Sequence, residues 1–158
     1  MLTNDFLNKW VKIIVPTELG PNKSLEAGFP LLGVYLSDDD SMSSMYTTYK
    51  KQEIGEDSRA YGVLIPMGDI RKAALGDAGK LKGRFIIQIN KDQSEANGIF
   101  SLAHEVGHLV GIINNTLEHA IDEDAFADGY AFKRVKEVVE DQSLQMLIYL
   151  KGSSGNSF

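Results

Sequence analysis

The 158-residue chain has no cysteine. Disulfides, thiolate zinc sites and cysteine nucleophiles are therefore excluded together. Histidine is scarce as well: there are three, all between His104 and His119. No apolar run approaches the roughly 18 residues that a membrane-spanning helix requires. Bases are outnumbered by acids, 16 to 22, for a net charge of −6, which argues against broad binding to nucleic-acid phosphates. Without cysteine, any transition-metal site has to be assembled from histidine and carboxylate.

What remains is ordinary for a folded domain: 43% apolar, 24% charged and 9% aromatic residues, on a chain long enough to bury a core. The expectation is one domain over residues 1–151, followed by a disordered Gly/Ser/Asn-rich tail at 152–158. The apolar stretch from Phe6 to Val15 is interrupted by Lys9 and Lys12 and lacks a small-residue cleavage site after it. A signal peptide is not expected, and a cytoplasmic location is.

Spacing along the chain gives the elements. Phe6, Leu7, Trp10, Val11 and Ile14 form one helical stripe that Pro16 ends. Three β-like runs follow, at Leu31–Leu36, Ala60–Ile65 and Arg84–Asn90. The polar stretch from Ser41 to Lys51 suits a mobile loop or a short strand. From Ser94, a natural helix cap, the texture is helical through Val110. A second helix is predicted from Asp122 to Glu140, and a last one over Leu144–Leu150. Strands followed by helices imply an α+β fold.

The chemistry concentrates in His104-Glu105-Val106-Gly107-His108, an HExxH pattern within the first of these helices. Residues i and i+4 share a helix face, so two imidazoles can reach one ion. A zinc ion held by such ligands keeps an open position for water. Glu105 is placed to take that water's proton as general base. Gly107 allows another segment to approach the helix closely.

The third ligand is less determined. Gly111 stands where the extended HExxHxxGxxH pattern needs it, but the final position is Asn114, a poor zinc ligand. His119, Glu123 and Asp124 remain. Asp124 and Asp128 are four apart and share a face, so one can bind metal while the other accepts the free N–H of a ligand histidine. That favours Asp124, with Glu123 and His119 as alternatives. Asp122, Glu123 and Asp124 also complement a helix N-terminus, which by itself accounts for acids there.

Two stretches, Phe85-Ile86-Ile87-Gln88-Ile89-Asn90 and Phe100-Ser101-Leu102-Ala103-His104-Glu105-Val106-Gly107-His108, resemble the ImmA/IrrE metallopeptidase family. That family pairs an I-x-I-N strand with F-x-x-A-H-E-x-G-H. Downstream, Asp124-Ala125-Phe126-Ala127-Asp128-Gly129-Tyr130-Ala131 resembles its acid-bearing helix, with aspartate where glutamate is usual. The resemblance covers residues 83–132; the family's L-L-M-P ending is missing, as is any helix-turn-helix signature. It implies a zincin-like α+β domain: a small twisted mixed or antiparallel sheet packed on the HExxH helix, a second helix supplying the third ligand, and one zinc ion. The implied activity is hydrolysis of a peptide or protein substrate.

The same resemblance implies that substrate pairs with a sheet edge. The strand just before the metal helix, with Phe85, Ile87 and Ile89, is the expected edge. His119 and Tyr130 are candidate donors to the developing oxyanion. Other readings are a metal-binding interaction module without catalysis and a hydrolase of non-peptide amides. Arg71, Lys72, Lys80, Lys82, Arg84 and Lys91 form a local basic run, read as a solvated strand edge or a preference for acidic substrate segments.

Overall fold

A computed structural model of the chain describes residues 1–21, 28–50, 60–67, 83–114 and 123–153. Helix α1 spans Asn4–Ile14, where Thr3 caps the start by accepting from the Phe6 N–H at 3.1 Å. Leu7, Trp10, Val11 and Ile14 are its buried stripe. Strand β1 (Leu31–Ser37), helix α2 (Asp39–Lys50), strand β2 (Gly62–Pro66) and strand β3 (Phe85–Asn90) follow. Three further helices complete the described residues: α3 (Glu95–Ile113), α4 (Glu123–Val138) and α5 (Gln142–Ser153).

The fold is mixed α+β with a three-stranded sheet in the order β1-β3-β2. β1 runs parallel to β3, and β2 runs antiparallel to it. Alternation along the strands sorts the core into two layers. Val63, Ile65 and Ile86 face α2, in a cluster with Met42, Met45, Tyr46 and Ala60. Leu64, Ile87 and Ile89 belong to the larger cluster with α1, α3, α4 and α5. Each fully buried aliphatic side chain there stabilises the fold by about 1.5–3 kcal/mol.

Helix α3 is the centre of that larger cluster. Ser94 caps it by accepting from the Asn97 N–H at 3.1 Å, and it is buried almost continuously from Ala96 to Leu109. A helix buried on all sides normally carries apolar residues throughout. This one instead buries His104, Glu105 and His108.

Three expectations are corrected. The Phe85–Asn90 strand is central: Ile87 pairs with Val34 on one side and Leu64 on the other, and Ile89 with Leu36 and Gly62. Phe85 lies between Leu31 and Pro66. With its backbone engaged on both sides, β3 offers no edge; among the described residues β1 and β2 are the outer strands. The Ser41–Lys51 stretch is mainly the helix α2, whose start is capped by Asp38 accepting from the Ser41 N–H at 2.8 Å. The last helix continues through Gly152 to Ser153, so the 151/152 boundary falls inside it; residues 154–158 lie outside the described residues.

A buried amide ties the layers together at the end of β3. Asn90 Nδ2 donates to Asp39 Oδ1 at 2.6 Å and to the Ala60 carbonyl at 3.0 Å. Its own Oδ1 accepts from the Asp92 N–H at 2.8 Å. Replacing Asn90 with alanine strands several of these groups, so Asn90→Ala should lower stability by about 1–3 kcal/mol. A urea titration checks this: the midpoint falls while the slope is unchanged. An unmoved midpoint would show that the clamp carries no stability.

Candidate metal centre

Helix α4 lies across α3 at Gly107, one of three glycines in that helix. A Cβ built on Gly107 would stand 2.9 Å from the Ala127 carbonyl oxygen, 3.0 Å from Ala127 Cα and 3.1 Å from Tyr130 Cβ. Two of these atoms are backbone and cannot swing aside, so this approach requires glycine. Ala127 and Ala131 are fully buried on the facing side of α4. The approach carries Asp124 and Asp128, one helical turn apart, to the histidines of α3.

Three donor atoms converge there. His104 Nε2 and His108 Nε2 are 3.1 Å apart; Asp124 Oδ1 is 3.1 Å from His108 Nε2 and 3.4 Å from His104 Nε2. Ligand atoms about 2.0–2.1 Å from a tetrahedral ion stand about 3.3–3.4 Å from one another. The observed triangle has nearly that size. Its chemistry, two imidazole nitrogens and one carboxylate oxygen, suits a zinc-type divalent ion. Among the described residues, this is the one set of three such side chains whose donor atoms gather. His104 Nδ1 is 2.8 Å from Asp128 Oδ1. A proton held between those two atoms leaves the Nε2 lone pair directed at the triangle. The histidines are buried, whereas Asp124 is 63% exposed, so the cluster opens to solvent on the α4 side.

Glu105 sits beside this triangle with no solvent exposure, and neither carboxylate oxygen has a hydrogen-bond partner among the described residues. β2 passes directly over it: a Cβ on Gly62 would come within 2.9 Å of Glu105 Cγ. Native proteins rarely bury a carboxylate without a partner, because the cost is several kcal/mol.

The charges are strongly coupled. Burial opposes protonation of His104, but hydrogen bonds to Asp124 and Asp128 and the nearby Glu105 charge outweigh it, raising its pKa to about 9. The hydrogen bonds to His104 and His108 hold Asp124 well below the usual carboxylate range. These shifts are two ends of one interaction.

Of the residues singled out in the sequence, His104, His108, Asp124 and Asp128 come together, with Glu105 adjoining. Glu123 is exposed and outside the triangle. His119 lies outside the described residues. Tyr130 faces elsewhere: two residues past Asp128 is about 200° around the helix. It lines a pocket of about 390 Å³ with Lys12, Pro16, Glu18, Arg134 and Glu137, and the charges acting on it are Arg134, Glu137 and Glu18. Of the two candidate oxyanion donors, Tyr130 is thus placed among the residues of that pocket and not among the triangle's donors.

On the other face of the sheet, Tyr46 of α2 is buried in the cluster of Met42, Ala60, Val63 and Ile65. Burial, then the charges of Asp124 and Glu105, push its phenol pKa up. The sequence signal for α2 was the spacing of Met42, Met45, Tyr46 and Tyr49 after Asp38, which is that of a capped helix.

No family model, no curated protein and no solved structure matches this chain.

Two predictions follow from the packing and the charges. Gly107→Ala should destabilise the protein by about 1–3 kcal/mol and weaken zinc binding at least tenfold by displacing Asp124; thermal melting and chelator competition measure both. Retained affinity would mean that the approach at Gly107 does not position the ligand. The second concerns protons. The folded pKa of His104, about 9, exceeds the unfolded value of about 6.5. Its stabilising contribution in metal-free protein is thus complete below that value and lost as pH rises through 9. At pH 7 zinc must displace the proton, so calorimetry in buffers of differing ionisation enthalpy should register release of about one proton per ion.

Proposed function

We propose that this chain is a zinc-dependent peptidase in which His104, His108 and Asp124 hold the ion and Glu105 is the general base. The observation that carries the reading is Glu105: a buried carboxylate, unpartnered among the described residues, next to three converging donor atoms. A purely structural ion has no use for such a group. When bound, the ion supplies a Lewis acid that acidifies a water molecule and polarises a carbonyl oxygen.

The chain's own residues do the rest. Asp128 keeps the proton of His104 on Nδ1, away from the ligand atom. Glu105 accepts the proton of the attacking water on a carboxylate oxygen and delivers it to the leaving amide nitrogen. Its burial beneath β2 keeps bulk water from competing for that proton. Of the two outer strands β1 and β2, β2 is the one offered to an extended substrate, because its Gly62 adjoins Glu105. Pairing along β2 would present a substrate's backbone carbonyls beside the metal triangle. The ImmA/IrrE-like motifs in residues 83–132 support the same reading.

Metal analysis tests it. Wild-type protein should bind one zinc, and His104→Ala and Asp124→Ala should lose it. Glu105→Gln should keep the ion while cleavage of a quenched-fluorescent peptide library falls at least about 100-fold. Stoichiometric zinc in His104→Ala would defeat the whole reading; cleavage unchanged in Glu105→Gln would remove Glu105 from its role.

A further inference from the structure

Strand β2 and helix α3 advance in the same direction across the site. The Tyr61 carbonyl accepts from Gln93, whose Oε1 accepts from the Ser101 hydroxyl. The next residue of the chain, Gly62, stands over Glu105, one turn further along α3. The later positions of β2, as far as Pro66, therefore run towards the last turn of α3. Among the described residues α4 does not follow them, because its second residue, Asp124, already sits at His108. The exposed last turn carries Ile112, a large aliphatic residue that is 42% exposed. Seven residues past Glu105 and four past His108, it is turned from them by only about 20° and 40° around the helix. All three share one face. Helical side chains lean towards the N-terminus, so Ile112 covers the turn of His108.

Resting on the peptidase reading, we propose that Ile112 walls an apolar subsite, which selects peptides with a bulky aliphatic side chain beside the scissile bond. A peptide paired along β2 from Gly62 onwards passes from Glu105 towards Ile112, and its alternate side chains point towards α3. One of them comes against Ile112 just past the metal triangle. The isoleucine offers no hydrogen bond. Contact with an aliphatic side chain removes apolar surface of both partners from water, whereas a charged or amide side chain would give up hydration without compensation. The surface is continuous with the donor triangle, which itself opens to solvent at Asp124.

Hydroxamates that share one metal-binding head test this without turnover, with binding to the cobalt(II)-loaded protein followed in its visible spectrum. Acetohydroxamate carries a methyl group, and 4-methylpentanohydroxamate adds an isobutyl group to it. Wild type should bind the isobutyl compound at least about tenfold more tightly. Ile112→Leu should keep that order. Ile112→Arg should reverse the preference, binding succinic monohydroxamate, which presents a carboxylate, more tightly than 4-methylpentanohydroxamate. A residue with a merely structural role would weaken all three ligands alike and reverse nothing. Equal affinity of wild type for the first two compounds, or an unchanged order in cobalt-loaded Ile112→Arg, overturns the Ile112 assignment alone. Wild-type protein that takes up no cobalt overturns the peptidase reading and this inference with it.

Discussion

Contact between α3 and α4 at Gly107 decides the geometry of everything around it. With backbone of Ala127 about 3 Å from where a Cβ would sit, the helices can approach this closely only at glycine. Small residues at 127 and 131 complete the facing surface. Given that approach, the helical repeat does the rest: a turn of α3 separates His104 from His108, and a turn of α4 separates Asp124 from Asp128. Two pairs at the same spacing on facing helices then meet, with one acid on the triangle and the other on the far nitrogen of His104. Side chains of the right kind with helices an ångström farther apart would not form this cluster.

The sheet supplies the second constraint. β3 is pinned between two strands, and its last residue, Asn90, holds both the first turn of α2 and the segment entering β2. Gln93 extends the same network, donating to the Asn90 and Tyr61 carbonyls and accepting from Asn97 and Ser101 on α3. Strand, helix and β2 are thus linked by short polar contacts just ahead of the HExxH segment. That linkage sets where Gly62 crosses Glu105.

Much of this was legible in the sequence, for identifiable reasons. The i, i+4 spacing places His104 and His108 on one face wherever the helix lies, and the same rule selects Asp124 with Asp128 over Glu123. Gly107 announced a close approach, although only the structure identifies Ala127 as the neighbour. Strand order was not legible: Arg84–Asn90 reads equally well as an edge or a centre, because alternation reports which face is buried and says nothing about pairing. Helix α2 was missed because it is rich in serine and threonine, weak helix formers. Its tertiary packing, with Met42 and Tyr46 inserted against β2, overrides that propensity. Tyr130, one of two candidate oxyanion donors, lies instead beside Lys12, Glu18, Arg134 and Glu137, neighbours that its place in the sequence does not report.

The least favourable local features of the molecule coincide. Glu105 is buried with neither oxygen partnered among the described residues, and two imidazole nitrogens face each other at 3.1 Å. A core under selection for stability alone would fill these positions with aliphatic side chains, as α3 does at Ile99, Leu102, Val106 and Leu109. Those neighbours hold the helix rigid, so the polar groups cannot relax into water. Local arrangements of this cost persist where a ligand relieves them. A cation at the triangle would relieve the facing nitrogens but leave Glu105 unsatisfied; a water beside that cation would satisfy Glu105 as well. Under the proposed function, an ion with an open coordination position would relieve both, and hydrolysis would use that same position.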